Sequence, residues 1–158
     1  MNDLSANSLV AISHALLWGV MLGYFAIPRS KQPWLGRLVT GMATTSWGLL
    51  TAGLVRRGLI AGHWPLTNRY EVALCISWSI LAIYLLLEVS WRQRGTGGYV
   101  LAIALIMMVY AQTRPADERI IFPLLPVLRS IWLQIHVLCT LIAYGAFGVA
   151  AGLALARL

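Results

Sequence analysis

Three histidines, His14, His63 and His136, are the residues of this chain best suited to metal chemistry, because a neutral imidazole can hold a metal through one ring nitrogen. His136 stands about two turns into the last apolar stretch, beside Trp132, at the depth of a membrane interface. There it could ligate haem iron or hydrogen-bond to a neighbouring helix, and position alone favours the second. His14 lies within the first apolar stretch, where an ionisable group is a functional candidate by default; a neutral histidine also suits packing there. His63, next to Trp64 and Pro65, is a weaker candidate ligand in a loop. Arg56, Arg57, Arg69, Arg114 and Arg119 could grip ligand carboxylates bidentately. For any one of them, lipid phosphate is the plainer partner. Met107 and Met108 could bind iron but suit packing in an apolar helix.

Other chemistries find no residues. There is no nucleophile–base pair, no phosphate-binding glycine loop and no zinc spacing, and Asp117 and Glu118 are adjacent rather than opposed. Cys75 and Cys139 fall inside apolar stretches without metal or redox spacing and read as buried small residues.

The elements that must position these residues are membrane helices. Of 158 residues, 59% are hydrophobic and only 11% charged, against about 25% charged in soluble domains. Lipid is the solvent that accepts such a chain. The formal charge of +7 is spread in ones and twos between apolar stretches. That pattern fits membrane flanks and anionic lipid and excludes a nucleic-acid surface. Residues 1–158 therefore read as a single all-α membrane domain, a polytopic bundle of about five transmembrane helices.

The expected spans are Ser8–Ile27, Leu38–Val55, Tyr70–Val89, Tyr99–Gln112 and Ile131–Ala156. The first lacks a basic n-region and a cleavage site, so it reads as a retained span. Arg56, Arg57 and Gly58 are expected to stop the second, whose Gly, Ala, Thr and Ser content suggests packing inside the bundle. Gly19/Gly23 and Gly148/Gly152 have the four-residue spacing that lets helices approach closely. Ser130 is placed to cap the last helix. The Pro-broken run from Ile120 to Leu128 is expected to lie along the interface. Lysines and arginines tie between the two sides, so charge alone gives no orientation. The side holding Arg56, Arg57, Arg69, Arg114, Arg119 and Arg129 carries more arginine than an outer face needs, which a bound anion would explain.

Between the second and third spans runs Gly62-His63-Trp64-Pro65-Leu66-Thr67-Asn68-Arg69-Tyr70-Glu71. Asn68 and Glu71 have capping-box spacing, so the stretch ends as a helix start. With the following Ser77-Trp78, it resembles the G-H-F-P-L-S-N-L-Y-E…S-W segment of the CcsA/ResC family of system II cytochrome c biogenesis. Ile131-Trp132-Leu133-Gln134-Ile135-His136-Val137, continuing to Ala143-Tyr144-Gly145, resembles that family's W-L-x-x-H-V…Y-A segment. The resemblance covers Leu38 to the C-terminus. The family's tryptophan-rich segment and its further histidines have no counterpart here.

The resemblance implies an N-terminal portion of a cytochrome c assembly domain that binds haem b at the outer membrane face. His136 would be an axial ligand and Trp132 its neighbour. Arg69 and Arg114 are expected to meet the propionates, with His63 and His14 as weaker candidates. It implies a place in the bacterial plasma membrane or thylakoid, with the N-terminus and the haem site outside. The implied partners are a ResB-type membrane protein, a chain carrying the tryptophan-rich segment, apocytochrome c and membrane lipid. At most the chain is part of a haem-lyase complex. The alternative is a HemX-like or scaffold membrane subunit without haem chemistry.

Overall fold

Apolar segments that must satisfy their own backbone in lipid fold as helices. The computed structural model describes residues 2–30, 32–91, 94–121 and 130–158. Five α-helices follow one another: α1 (Asn2–Ala26), α2 (Pro33–Ala61), α3 (Arg69–Trp91), α4 (Gly97–Gln112) and α5 (Ile131–Leu155). Short 3₁₀ turns occupy Ile27–Arg29 and Asp117–Arg119. Among the described residues there is no strand. α1, α2, α3 and α5 are long and apolar enough to cross a membrane. α4, at 16 residues, is shorter and apolar.

α1 packs on α2 and α4, while α3 packs on α2, α4 and α5. α3 is the central helix, with half of its membrane window buried, against 22% for α5. Three of the four expected glycines make close contacts, whereas the exposed Gly19 meets only the end of Met42, at 3.9 Å. Gly23 lies against Val39 of α2, Gly148 against Ile80 and Ile103, and Gly152 against the backbone of Val100. Gly145 adds a further close contact, against Ser79 and Ile80 of α3. Gly145 beside Ser79 and Gly152 beside Val100 show that α5 runs parallel to α3 and antiparallel to α4.

Several sequence expectations are corrected. α2 does not stop at Arg56–Gly58 but continues to Ala61, because Arg57 finds a partner inside the protein. It ends at Gly62, whose left-handed φ of 71° favours glycine and whose amide donates to the Gly58 carbonyl at 2.9 Å. As expected, α2 packs within the bundle, through Gly36, Ala43, Ser46 and Gly53, while Gly41, Thr44, Thr45 and Gly48 on its other side are exposed. The hydroxyls of Thr44, Thr45 and Thr51 donate to carbonyls one turn earlier, so they do not depend on a neighbouring helix. The short α4 starts a little before Tyr99, as expected, at Gly97, which is pressed against Tyr24 and Tyr84. Ser130 stands at the α5 cap position, but its backbone carbonyl, not its hydroxyl, receives the Gln134 amide. Cys75 is buried as expected, whereas Cys139 is exposed, because it lies off the stripe by which α5 packs. Residues 122–129 lie outside the described residues, so most of the Ile120–Leu128 run and Arg129 do too.

A Cβ at Gly152 would lie 2.6 Å from Val100 Cα, which no side-chain rotation can relieve. Gly152→Leu is expected to cost about 1–3 kcal/mol or more by overpacking, read as a lower midpoint of thermal unfolding in detergent. Gly48→Ala, with nothing within 4 Å of the new atom, is expected to be neutral or slightly stabilising.

Candidate functional site

The Gly62–Glu71 stretch is held from within. Asn68 Oδ1 accepts the Glu71 amide at 2.9 Å, as the capping spacing predicts. Glu71 reaches back one residue further than expected, its Oε2 accepting the Thr67 amide at 2.9 Å. Its other oxygen accepts from Arg57 Nε at 3.2 Å and Nη2 at 3.0 Å. Arg57 is fully buried and Glu71 nearly so. The remaining Arg57 donor reaches Asn7 Oδ1 of α1 at 3.1 Å and the Arg119 carbonyl at 3.0 Å. The guanidinium also lies 5.0 Å from the Tyr70 ring centroid. Arg57 is thus neither a lipid nor a ligand contact, as its place at a span end had suggested. It joins α1, α2, α3 and the Asp117–Arg119 turn.

Farther along α3, Ser77 donates to the Ala104 carbonyl of α4 at 3.1 Å, and Trp78 Nε1 donates to Thr51 of α2 at 2.8 Å while stacking on Trp47. At the far end Glu88 forms a second buried knot. Its carboxylate accepts from Tyr24 of α1, from Thr40 of α2 and, at 3.0 Å, from Arg94 in the α3–α4 turn. The two knots match in position. Asn7 and Tyr24, Thr40 and Arg57, and Glu71 and Glu88 are each seventeen residues apart, about 25 Å along a helix. Three antiparallel helices therefore carry polar groups at the same two levels. Sequence reading did not find these pairs.

At the Arg57 end a cavity of about 670 Å³ opens between α3, α4 and the Asp117–Arg119 turn. Its polar lining is Thr67, Asn68, Arg69 and Glu118, and its apolar wall is Val72, Ala73, Ile76 and Met107, with Tyr110 between. Arg114 lies over the Tyr110 ring at 4.4 Å. The turn is strapped down by Arg119, which donates to the carbonyls of Arg114 and Gln112. Arg69 and Arg114 therefore gather around one cavity. His136 is not among the described residues that line it.

His136 faces the other way. The stripe that packs α5 onto the bundle is Leu141, Gly145, Val149 and Gly152. At about 100° per residue, His136 lies about 175° from the centre of that stripe and Trp132 about 145°. Both are exposed, Trp132 by 79%. Their spacing of four residues places them together on the outward face of α5.

The histidines differ in what their rings do. His14 Nε2 accepts a hydrogen bond from Trp18 Nε1 at 3.1 Å. His63 Nδ1 donates to the Trp64 carbonyl at 2.9 Å, since a carbonyl can only accept. The His136 ring bonds to no described residue; only its backbone carbonyl is used, by Thr140. Among the described residues no group of three or more His, Cys, Asp or Glu side chains could hold a metal ion. One uncommitted imidazole beside an indole could offer a single nitrogen donor to an external metal.

This arrangement defines an α-helical integral membrane protein with buried charge at both ends and an exposed imidazole on its outermost helix. Residues 66–158 match the family model described as cytochrome C assembly protein, and the chain belongs to that family. It is similar to proteins named cytochrome c biogenesis protein CcsA. It is 36% identical to the one from Trichormus variabilis over 157 residues, covering 96% of this chain and 44% of the relative. It is 32% identical to the one from Synechocystis over 139 residues, 87% of this chain and 42% of the relative. It is 31% identical to the one from Gloeobacter violaceus over 155 residues, 92% of this chain and 46% of the relative. The chain thus spans under half the length of these curated relatives. No solved structure matches it.

Removing Glu71 leaves a fully buried guanidinium unpaired. Glu71→Ala is expected to cost about 3–5 kcal/mol, measured as loss of unfolding temperature and of folded yield in detergent. Replacing both partners, Arg57→Met with Glu71→Leu, is expected to recover most of that loss.

Proposed function

We propose that this chain is the front portion of a CcsA-type assembly domain that holds haem b for delivery to apocytochrome c, with His136 as an iron ligand and Trp132 against the macrocycle. The observation that carries the reading is the contrast among the histidines. His14 and His63 each commit a ring nitrogen locally, whereas His136, on an exposed face, keeps both ring nitrogens without a partner among the described residues. An imidazole that its own bundle leaves uncommitted is suited to an external metal.

In this reading the haem is cargo. The chain's part is to hold the iron so that the vinyl edge stays open to two thiols of the apoprotein, which supply the nucleophiles. The second axial ligand and most of the platform come from the part of the domain that the relatives have beyond this region, or from a partner chain carrying it. A ResB-type protein would complete the assembly. The N-terminus of α1, the Gly62–Glu71 stretch and the start of α5 share one end of the bundle, and we place that end on the outer side of the plasma or thylakoid membrane. Arg69 and Arg114 surround the cavity rather than His136. Their role is accordingly to hold an anionic group at this membrane level.

The visible spectrum of the protein, purified in detergent together with the chain that completes it, tests the reading. A Soret band is expected that falls at least about tenfold in His136→Ala and persists in His14→Ala and His63→Ala. A protein that carries no haem, or keeps it fully without the His136 ring, would instead be a scaffold subunit of the same fold.

A further inference from the structure

We infer that the cavity between α3 and α4 binds one membrane phospholipid of the phosphoethanolamine class, its phosphate at Thr67, Asn68 and Arg69 and its ammonium at Glu118. The first ground is unmet hydrogen bonding. Thr67, Asn68 and Glu118 line this cavity, and each holds a buried atom, Thr67 Oγ1, Asn68 Nδ2 and Glu118 Oε2, with no partner among the described residues. The Nε of Arg114, whose guanidinium rests on the lining residue Tyr110, is also buried and has no partner among the described residues. A buried polar group left unsatisfied is costly, and the gathering of four around one cavity calls for a polar occupant.

The second ground is the opposite wall. Val72, Ala73, Ile76 and Met107 offer no hydrogen bond to water. Ile76 lies seven residues beyond Arg69 on α3, about 10 Å deeper along the helix. A small anion would leave this wall bare, whereas an acyl chain covers it. The occupant is therefore an amphiphile with its head at the Arg57 end.

The third ground is charge. The lining presents Arg69 and Glu118, with the Arg114 guanidinium set back over Tyr110. Asn68 Nδ2 and Thr67 Oγ1 stand with Arg69 at the start of α3, where the helix dipole favours an anion. The unpaired oxygen of Glu118 asks for a donor carrying positive charge. A phosphate joined to a primary ammonium meets both demands. A head with two carboxylates meets only the first and is repelled by Glu118, and no described lining residue is a histidine that could hold iron. The site is thus distinct from the face of His136, and its test does not depend on the haem reading.

Native mass spectrometry of the chain, extracted from nanodiscs of dioleoyl phosphatidylethanolamine, phosphatidylcholine or phosphatidylglycerol, tests the inference. One retained phosphatidylethanolamine is expected, preferred about tenfold over the other two, the effect of one charge-assisted hydrogen bond. Glu118→Gln is expected to abolish the preference, and Arg69→Gln to weaken all three lipids about tenfold. Met107→Trp, which fills the apolar wall without touching the polar rim, is expected to expel the lipid and keeps the test valid if a charge variant fails to fold. His136→Ala is expected to leave lipid retention unchanged. Equal retention of the three lipids, an undiminished preference in Glu118→Gln, or a porphyrin found in place of lipid would overturn the inference.

Discussion

The bundle depends on one buried ion pair. Arg57 sits a turn before the end of α2 and Glu71 in the first turn of α3, with no access to water. Two charges in such a place are tolerable only if nearly every donor and acceptor is met. Here they are, by one another, by Asn7, by the Arg119 carbonyl and by the Thr67 amide. The same bonds set the reversal between α2 and α3, the seat of α1 and the position of the Asp117–Arg119 turn. The cavity and Glu118 on its rim exist because that turn is held there.

Around this pair the molecule divides into a rigid and an open part. α1, α2 and α3 are tied at both ends, through Arg57 and Glu71 at one and through Glu88, Tyr24 and Thr40 at the other. α5 is attached differently, by close approach of Gly145, Gly148 and Gly152 to α3 and α4. Its first turns, carrying Trp132 and His136, project a separate face. The exposed imidazole is therefore displayed on the least embedded helix, while the matched loop stretch serves as the fastening beneath it.

What could be read from the sequence was local or strongly periodic. Asn68 and Glu71 declare a helix start three residues apart, and the bond between them forms. Gly148 and Gly152 announce a close contact whatever the partner, and find it. The Arg57–Glu71 pair was not legible, because its members are separated by a reversal of the chain, and an arginine near a span end reads equally well as a lipid contact. Tyr24, Thr40, Glu88 and Arg94 lie on three helices and a turn, and nothing in their spacing brings them together. The outward aim of His136 was hidden for another reason. α5 is apolar on all sides, so its periodicity does not distinguish the packed face from the lipid-facing one. Only the glycine contacts decide it.

The repeated interval of seventeen residues works as a ruler. It sets the two buried polar levels of these three helices about 25 Å apart, within the roughly 30 Å of an average hydrocarbon layer. α4, at 16 residues, is about as long as that interval. Because the levels are bolted together through three helices, the bundle cannot stretch to suit its surroundings. A bilayer of another thickness meets an unchanged protein, and the adjustment falls on the lipid around it.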